Sequence, residues 1–337
     1  MNFLELAMGP GSVDALFNIA IILVKILVVF GAIMLHVAYA PYFERKTIGH
    51  MQVRLGPMRV GPHGLLQPIA DGIKLFFKED IIPAQSDKPV FFVAPVISLV
   101  AALSSLAVIP FFDGFVVADI NVGLLFVLAM SSLGSYGIIL AVWSSNSKYS
   151  FLGGLRSAAQ VISYEIAMGL SLVGVMMLAG SLNLTEIVRA QERYPFGMFL
   201  LPQILACFVY TISVIAETNR SPFDLPEAES ELVAGYFVEY SGMRFGLFFI
   251  AEYTAMIIMA SIGIVCFLGG WNGPFKIPYV PFAWFFIKLY VLIFVYYWVR
   301  ATLPRYRYDH LMNLGWKVLI PLALANIVIT GIIKVLV

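Results

Sequence analysis

The sequence predicts an all-α, polytopic membrane protein, and three observations carry that expectation. Eight apolar stretches, each near the roughly 20 residues that a bilayer crossing needs, recur along the 337 residues. Charged residues make up only 12% of the chain, about half the share of a soluble domain, and mean hydropathy is +0.90. Lysines and arginines gather on alternate loops. Fifteen of the 21 lie in or beside the first, third, fifth and seventh loops. Arg189, Arg193, Lys276 and Lys334 lie on the opposite side, and Lys25 and Lys288 fall inside spans. The odd loops therefore face the cytoplasm or its equivalent, and both termini the outer, periplasmic side.

The first span is expected at about 16–40. Met1–Ala15 carries no lysine or arginine and Lys25 interrupts the apolar run, so the start does not read as a cleaved signal peptide. Lys25 is expected to snorkel outward. Residues 41–88 form the first cytoplasmic loop, in which Gly56-Pro57 and Gly61-Pro62 mark tight turns. Within it, 64–78 is too short and too polar to span. Leu65, Leu66, Ile69, Ile73, Phe76 and Phe77 share one helical face, with Gln67, Asp71, Lys74 and Lys78 opposite and Pro68 in the first turn. This is an amphipathic helix at the interface. Surface anchoring explains its lysines but not the acid at Asp71. Further spans follow at about 90–111, 121–143, 157–180, 197–218, 244–268, 282–303 and 314–336, as one bundle with no second domain and no internal repeat.

Seven carboxylates fall between positions 216 and 253, of 20 in the chain: Glu217, Asp224, Glu227, Glu229, Glu231, Glu239 and Glu252. Only Arg220 and Arg244 share that stretch with them. Most lie in the acidic cytoplasmic loop 219–243, but Glu217 closes the fifth span and Glu252 sits inside the sixth. Glu165 lies about eight residues into the fourth span, roughly 12 Å along its axis. A carboxylate at mid-span costs on the order of 2.5–3.5 kcal/mol, so such groups mark proton, ion or ligand paths. The plain alternative is an acid paired with a neighbouring base or hydroxyl. Three acids on three spans, with Lys25 and Lys288 the only cations well inside spans, favour a set that holds and passes protons. In the loop, Asp224 with Glu227 and Pro226 reads as a capping box. That explains Glu229 and Glu231 less well and Glu239 not at all.

Other chemistry is excluded by what is missing from the pattern. Cys207 and Cys266 are isolated core residues without metal-ligand spacing, and His36, His50, His63 and His310 are scattered. No phosphate loop, flavin, nicotinamide, haem or iron–sulfur motif is present. A net charge of +1 argues neither for nucleic acid nor for an acidic partner, and no nucleic acid is expected. Redox chemistry, if any, belongs to a partner chain.

Several motifs carry a resemblance across residues 44–312: Glu44-Arg45-Lys46; Arg-Leu-Gly-Pro-Met-Arg-Val-Gly-Pro at 54–62; Leu-Gln-Pro-Ile-Ala-Asp-Gly-Ile-Lys at 66–74; Gln-Val-Ile-Ser-Tyr-Glu at 160–165; the long acidic motif at 216–232; and Arg-Ala-Thr-Leu-Pro-Arg-Tyr-Arg-Tyr-Asp-His-Leu-Met at 300–312. Together they resemble the membrane-subunit family at the junction of the proton-pumping NADH–quinone oxidoreductase, respiratory complex I (the H subunit in bacteria, subunit 1 in mitochondria). The resemblance implies a quinone chamber lined or braced by Glu44, Arg45, Arg54, Asp71, Arg220 and Arg300. It implies an acidic loop beneath it holding Asp224, Glu227, Glu229, Glu231 and Glu239, and a buried path begun by Glu165, Glu217 and Glu252. Met58 departs from the family, which commonly has asparagine there, and puts the local turn in question.

The resemblance further implies ubiquinone or menaquinone as substrate, with no metal, flavin or iron–sulfur cluster in this chain. Its implied partners are hydrophilic quinone-site and iron–sulfur subunits, small membrane subunits, antiporter-like subunits and the lipid bilayer. The expected location is the bacterial inner membrane rather than the mitochondrial one. The expected mechanism passes charge from the quinone, held by Arg220 and Arg300, through Glu227, Glu229 and Glu231 to Glu217, Glu165 and Glu252. A homologous component of a membrane-bound hydrogenase or formate-oxidising complex shares part of the acidic motif. A stand-alone proton-coupled carrier fits the intramembrane acids but not the absence of a repeat.

Overall fold

Long apolar runs become helices because a backbone in lipid must satisfy its amides within the segment. A computed structural model of the chain describes residues 12–225, 235–273 and 281–336. Among these residues seven helices are long and apolar enough to cross a membrane. The first, α1 (Ser12–Met51), runs 40 residues and passes through Pro41. It thus extends past the expected end of the first span and carries Glu44 and Arg45 on a rigid stem. Pro41 deprives the ladder of one donor, yet the helix continues through it to Met51.

The loop that follows is docked onto the end of this stem. Lys46 Nζ donates to the carbonyls of Pro57 and His63, each at 3.1 Å, and Tyr42 donates its hydroxyl to His63 O at 2.9 Å. Gly64 turns the chain at φ 82°, and a Cβ there would lie 2.4 Å from Pro57 O. Met58 is accommodated against Lys46, its sulfur 2.9 Å from Nζ. The amphipathic helix α2 (Gln67–Phe77) has no buried residue and leaves Ile69, Ile73, Phe76 and Phe77 exposed. Leu65 and Leu66, expected inside it, belong to the turn before it.

Helices α3 (Lys88–Ser105) and α4 (Gly123–Ser145) form a close hairpin. Asn146, left-handed at φ 47°, then turns the chain into α5 (Lys148–Ala179). A short helix that the apolar pattern does not announce, α6 (Leu184–Gln191), follows α5; Asn183 caps it by accepting from Thr185 N and Glu186 N at 2.8 and 3.3 Å. The fifth apolar stretch yields only α7 (Ile204–Glu217), 14 residues or roughly 21 Å, instead of 197–218. Pro202 and the turn at Pro195–Gly197 hold its start back, and Gln203 is fixed there by Thr330 and Asn326, each at 2.8 Å.

Helix α8 (Gly242–Phe267) is the most enclosed of the long helices. Lys288 on α9 (Pro281–Thr302) does not serve the acids. Its Nζ caps the end of α8 through the carbonyls of Leu268, Gly270 and Asn272 at 2.5, 3.0 and 2.5 Å. Lys25 turns to Val116 O at 3.1 Å, in the loop between α3 and α4. The chain ends with α10 (Tyr308–Leu314), a π-helical turn at Gly315–Leu319, and α11 (Ile320–Leu336). The main core lies where α5, α7 and α8 meet, around Tyr164, Met168, Val209 and Ile257. A second, aromatic cluster of Phe91, Tyr236, Phe237, Tyr240 and Phe248 seats the return of the acidic loop.

Candidate functional site

The segment that ends α7 is where most of the chemistry-bearing side chains converge, and a buried glutamine on α5 holds it in place. Gln160 Nε2 donates to Ala216 O at 2.7 Å and to Phe223 O at 2.8 Å. Between those two carbonyls lie Glu217 and Arg220. From there Arg220, only 7% exposed, reaches back into the bundle.

Two carboxylates and a phenol meet it. Arg220 Nη1 lies 3.3 and 3.4 Å from the oxygens of Glu44 on α1, and Nε lies 2.9 Å from Glu252 Oε1 on α8. The ring of Tyr253 sits beneath the guanidinium, 4.3 Å from Cζ, while its hydroxyl donates to Glu44 Oε2 at 2.5 Å. Arg300 on α9 pairs with the same oxygen of Glu44, Oε1, that Arg220 approaches at 3.3 Å. Burial works against the Arg220 charge, yet Glu252, Tyr253 and Glu44 outweigh it and hold the guanidinium above its ordinary range. Even so, Nε and Nη2 have no aligned acceptor among the described residues. The Glu252 contact is therefore close but poorly directed. Counting cations along the sequence had left Glu252 without a base; the loop after α7 supplies one.

This cluster walls a cavity of about 240 Å³. Glu44, Arg45, Arg54, Arg220, Arg300 and Glu252 all line it, beside Tyr253 and Phe249. Asp71 is not in the wall but braces it, accepting from Arg45 Nη1 at 3.2 Å and from Gln67 Nε2 at 3.1 Å. The six residues assigned to the chamber are thus brought together from α1, α2, the loop after α1, the loop after α7, and α9.

A second cavity, of about 100 Å³, lies between α3, α4 and α8. Ser98, Ser131, Ser135, Asn219, Glu217 and Glu252 line it among apolar side chains. Glu252 borders both cavities. At the far wall Ser131 donates to Glu217 Oε1 at 2.8 Å, and the carboxyl of Glu165 meets both Ser132 and Glu217. Glu165 Oε1 and Glu217 Oε2 are buried without a donor, and neither acid has an ion-pair partner among the described residues.

Asp224 is buried against Arg305, 3.1 Å away, and Glu239 is half-buried. Glu227, Glu229 and Glu231 lie outside the described residues, as does the capping box of which Asp224 would be the first member. Arg244 turns away from the acidic stretch, pairing with Asp80 at 3.1 Å and covering the ring of Phe92. Sequence reasoning missed Tyr253, Ser131, Ser132 and Asn219 as site residues. No charge marks them; only their places beside Glu252, at mid-span and beside Arg220 could have drawn attention. Among the described residues no cluster of histidine, cysteine and carboxylate is arranged to hold a metal ion.

Comparison with known proteins gives the arrangement a family context. Residues 24–331 match the model of the NADH dehydrogenase family. The chain is 55% identical over 329 residues to the first of the NADH-quinone oxidoreductase H subunits of Geobacter sulfurreducens, covering 92% of this chain and 93% of that protein. It is 56% identical over 299 residues to the NADH-quinone oxidoreductase H subunit of Rhodospirillum rubrum, covering 88% of each. The corresponding H subunit of Rickettsia typhi is 53% identical over 324 residues, 94% of this chain and 95% of that protein.

Proposed function

The chain belongs to the H-subunit family of the NADH-quinone oxidoreductase, and on that premise we propose that its arginine-lined cavity is the membrane end of a quinone chamber, coupled to proton movement through Glu252. One observation carries the coupling: Glu252 forms part of the wall of both cavities and is the nearest carboxylate to Arg220. Glu252 therefore stands first on the path rather than last, with Glu217 and Glu165 beyond it.

The residues' roles follow from their surroundings. Arg300 and Arg220, which both line the cavity, supply positive charge toward an anionic or proton-demanding quinone species. Glu44, held by Tyr253 and both arginines, fixes the pair in place. A ligand charge that draws Arg220 away leaves Glu252 in low dielectric without its cation, and it then takes up a proton. The small cavity has room for about three waters at roughly 30 Å³ each, a route from Glu252 toward Glu217 on this reading, with Ser98, Ser131 and Ser135 in its wall. A proton between Glu165 and Glu217 supplies the donor that both buried oxygens lack. The pair would carry that proton as a unit.

The same reading includes Ile204–Glu217 as an eighth crossing with both termini on the outer side, and a location in a bacterial inner membrane. It includes the acidic loop, with Asp224, Glu227, Glu229, Glu231 and Glu239, facing a hydrophilic partner beside the chamber. Hydrophilic quinone-site and iron–sulfur subunits would bring the electrons, and small membrane and antiporter-like subunits would receive the proton signal. The quinone, ubiquinone or menaquinone, is the substrate. The test is Glu217→Gln in the assembled complex, reconstituted in proteoliposomes and driven by NADH with a short-chain quinone. Proton pumping is expected to fall by roughly tenfold, the scale of one pKa unit at a coupling site. Wild-type pumping and wild-type quinone turnover in that variant would remove the acid pair from the path.

A further inference from the structure

Residues 252 and 253 are consecutive on α8, so their side chains leave the helix about 100° apart and flank Arg220 from one helix. Tyr253 is 3% exposed and touches two members of the cluster in two different ways. Its hydroxyl makes the shorter contact to Glu44, 2.5 Å against 3.3 and 3.4 Å from Arg220. Its ring faces the guanidinium at 4.3 Å, a contact that attracts the charge while leaving the planar group free to turn on a flat surface.

We propose that Tyr253 is a positioning residue that decides which carboxylate answers to a charge in the chamber. The hydroxyl locks Glu44, so that with Arg300 it stays satisfied when Arg220 moves. The ring is the surface on which Arg220 pivots. With Glu44 locked, movement of Arg220 is felt at Glu252, whose sole ion-pair partner among the described residues is Arg220. Without the hydroxyl, Glu44 competes for the guanidinium and the signal divides between two acids, one of which borders the arginine-lined cavity alone. This assignment rests on the coupling role proposed for Glu252.

The experiment compares Tyr253→Phe, Glu252→Gln and Glu44→Gln with the double variant Tyr253→Phe/Glu44→Gln, each in the assembled complex in proteoliposomes. The reading is protons pumped per quinone reduced, with quinone KM and kcat measured beside it. Tyr253→Phe should lower the pumping ratio by about tenfold, the scale of a hydrogen bond to a charged group, and more than it lowers kcat. The double variant should pump no worse than Glu44→Gln alone, because the hydroxyl acts through Glu44. A purely structural tyrosine would lower turnover and pumping in parallel, and an unchanged ratio overturns the proposal. So does an additive double variant. If Tyr253→Phe does not assemble, 3-fluorotyrosine at position 253 keeps the shape and makes the phenol more acidic. The pH profile of the pumping ratio should then move, and an unmoved profile overturns the proposal. Glu252→Gln separates the two levels: full pumping there refutes the coupling role of Glu252 itself, whereas lost pumping there with a wild-type ratio in Tyr253→Phe refutes only the role of Tyr253.

Discussion

Replacing Gln160 with methionine removes the clamp on the α7 terminus while keeping side-chain length and apolar volume. The amide donates to Ala216 O at 2.7 Å and Phe223 O at 2.8 Å, and it is fully enclosed. The two carbonyls do not suffer equally. Ala216 O keeps a second donor, Asn219 N at 3.2 Å, so its loss is about 1 kcal/mol, that of one neutral hydrogen bond. Phe223 O has no other donor among the described residues, so about 1–3 kcal/mol is added for a buried acceptor left bare. A small credit returns because Gln160 Oε1 is itself without a partner and disappears. The net is about 2 kcal/mol, or roughly thirtyfold in the local opening equilibrium of residues 216–225.

Hydrogen–deuterium exchange of peptides covering 216–225 in the purified complex reads that number directly. Exchange there should speed up by a factor of that order, while the core of α5 and α8 stays protected. Because Arg220 sits between the clamped carbonyls, quinone KM should rise with little change in the amount of complex assembled. Wild-type exchange across 216–225 would refute the reasoning, since the clamp would then contribute nothing to the placement of Arg220.

Two further substitutions probe the scaffold. Lys288→Met leaves three carbonyls at the end of α8 without their shared cation and should cost about 2–4 kcal/mol; thermal melting of the complex should show a lower Tm, and an unchanged Tm would dismiss the cap. Gly64→Ala places a Cβ 2.4 Å from Pro57 O at a φ of 82°, which costs about 1–3 kcal/mol of strain. The loop from Arg54 to Leu66 should become more open to limited proteolysis and quinone KM should rise, whereas wild-type cleavage would show that the turn tolerates a side chain.

The fold was legible wherever local physics decides it. Apolar runs of span length place α3, α4, α5, α8 and α9 because lipid permits the backbone little else. The ends were harder to read. The first span was expected to end at about 40, yet α1 runs through Pro41 to Met51, since a single missing donor does not stop a helix. Pro202 does delimit α7, because a turn and the Gln203 network already occupy the preceding residues. The charged members of the site were legible as types at membrane depth, a costly placement that draws attention on its own. Their pairing was not. Nothing local says that Arg220 folds back 176 residues to reach Glu44, or that Lys288 spends its charge on carbonyls. Tyr253 was invisible for the same reason: a tyrosine in a membrane helix signals nothing until its partners are known.

That pairing fixes the sign of the proposed coupling. Glu44 and Glu252 against Arg220 and Arg300 make a buried cluster of zero formal charge. Farther out, Arg45 is matched by Asp71, while Arg54 makes its side-chain hydrogen bond to a neutral glutamine, Gln52. The arginine-lined cavity thus admits a negative charge more readily than a positive one. When that charge enters, it offsets Arg54 and draws on Arg220 and Arg300, so Glu252 is less well compensated in low dielectric. One proton makes up for the weakened pairing, and Glu252, with one ion-pair partner against three contacts at Glu44, is the acid that takes it on this reading. Binding of the anion and uptake of the proton then favour each other by the same free energy, whichever comes first. A cation-filled chamber would reverse the sign and expel the proton. On this arithmetic, a ligand of the same shape but without negative character should fill the cavity and leave Glu252, Glu217 and Glu165 as they were.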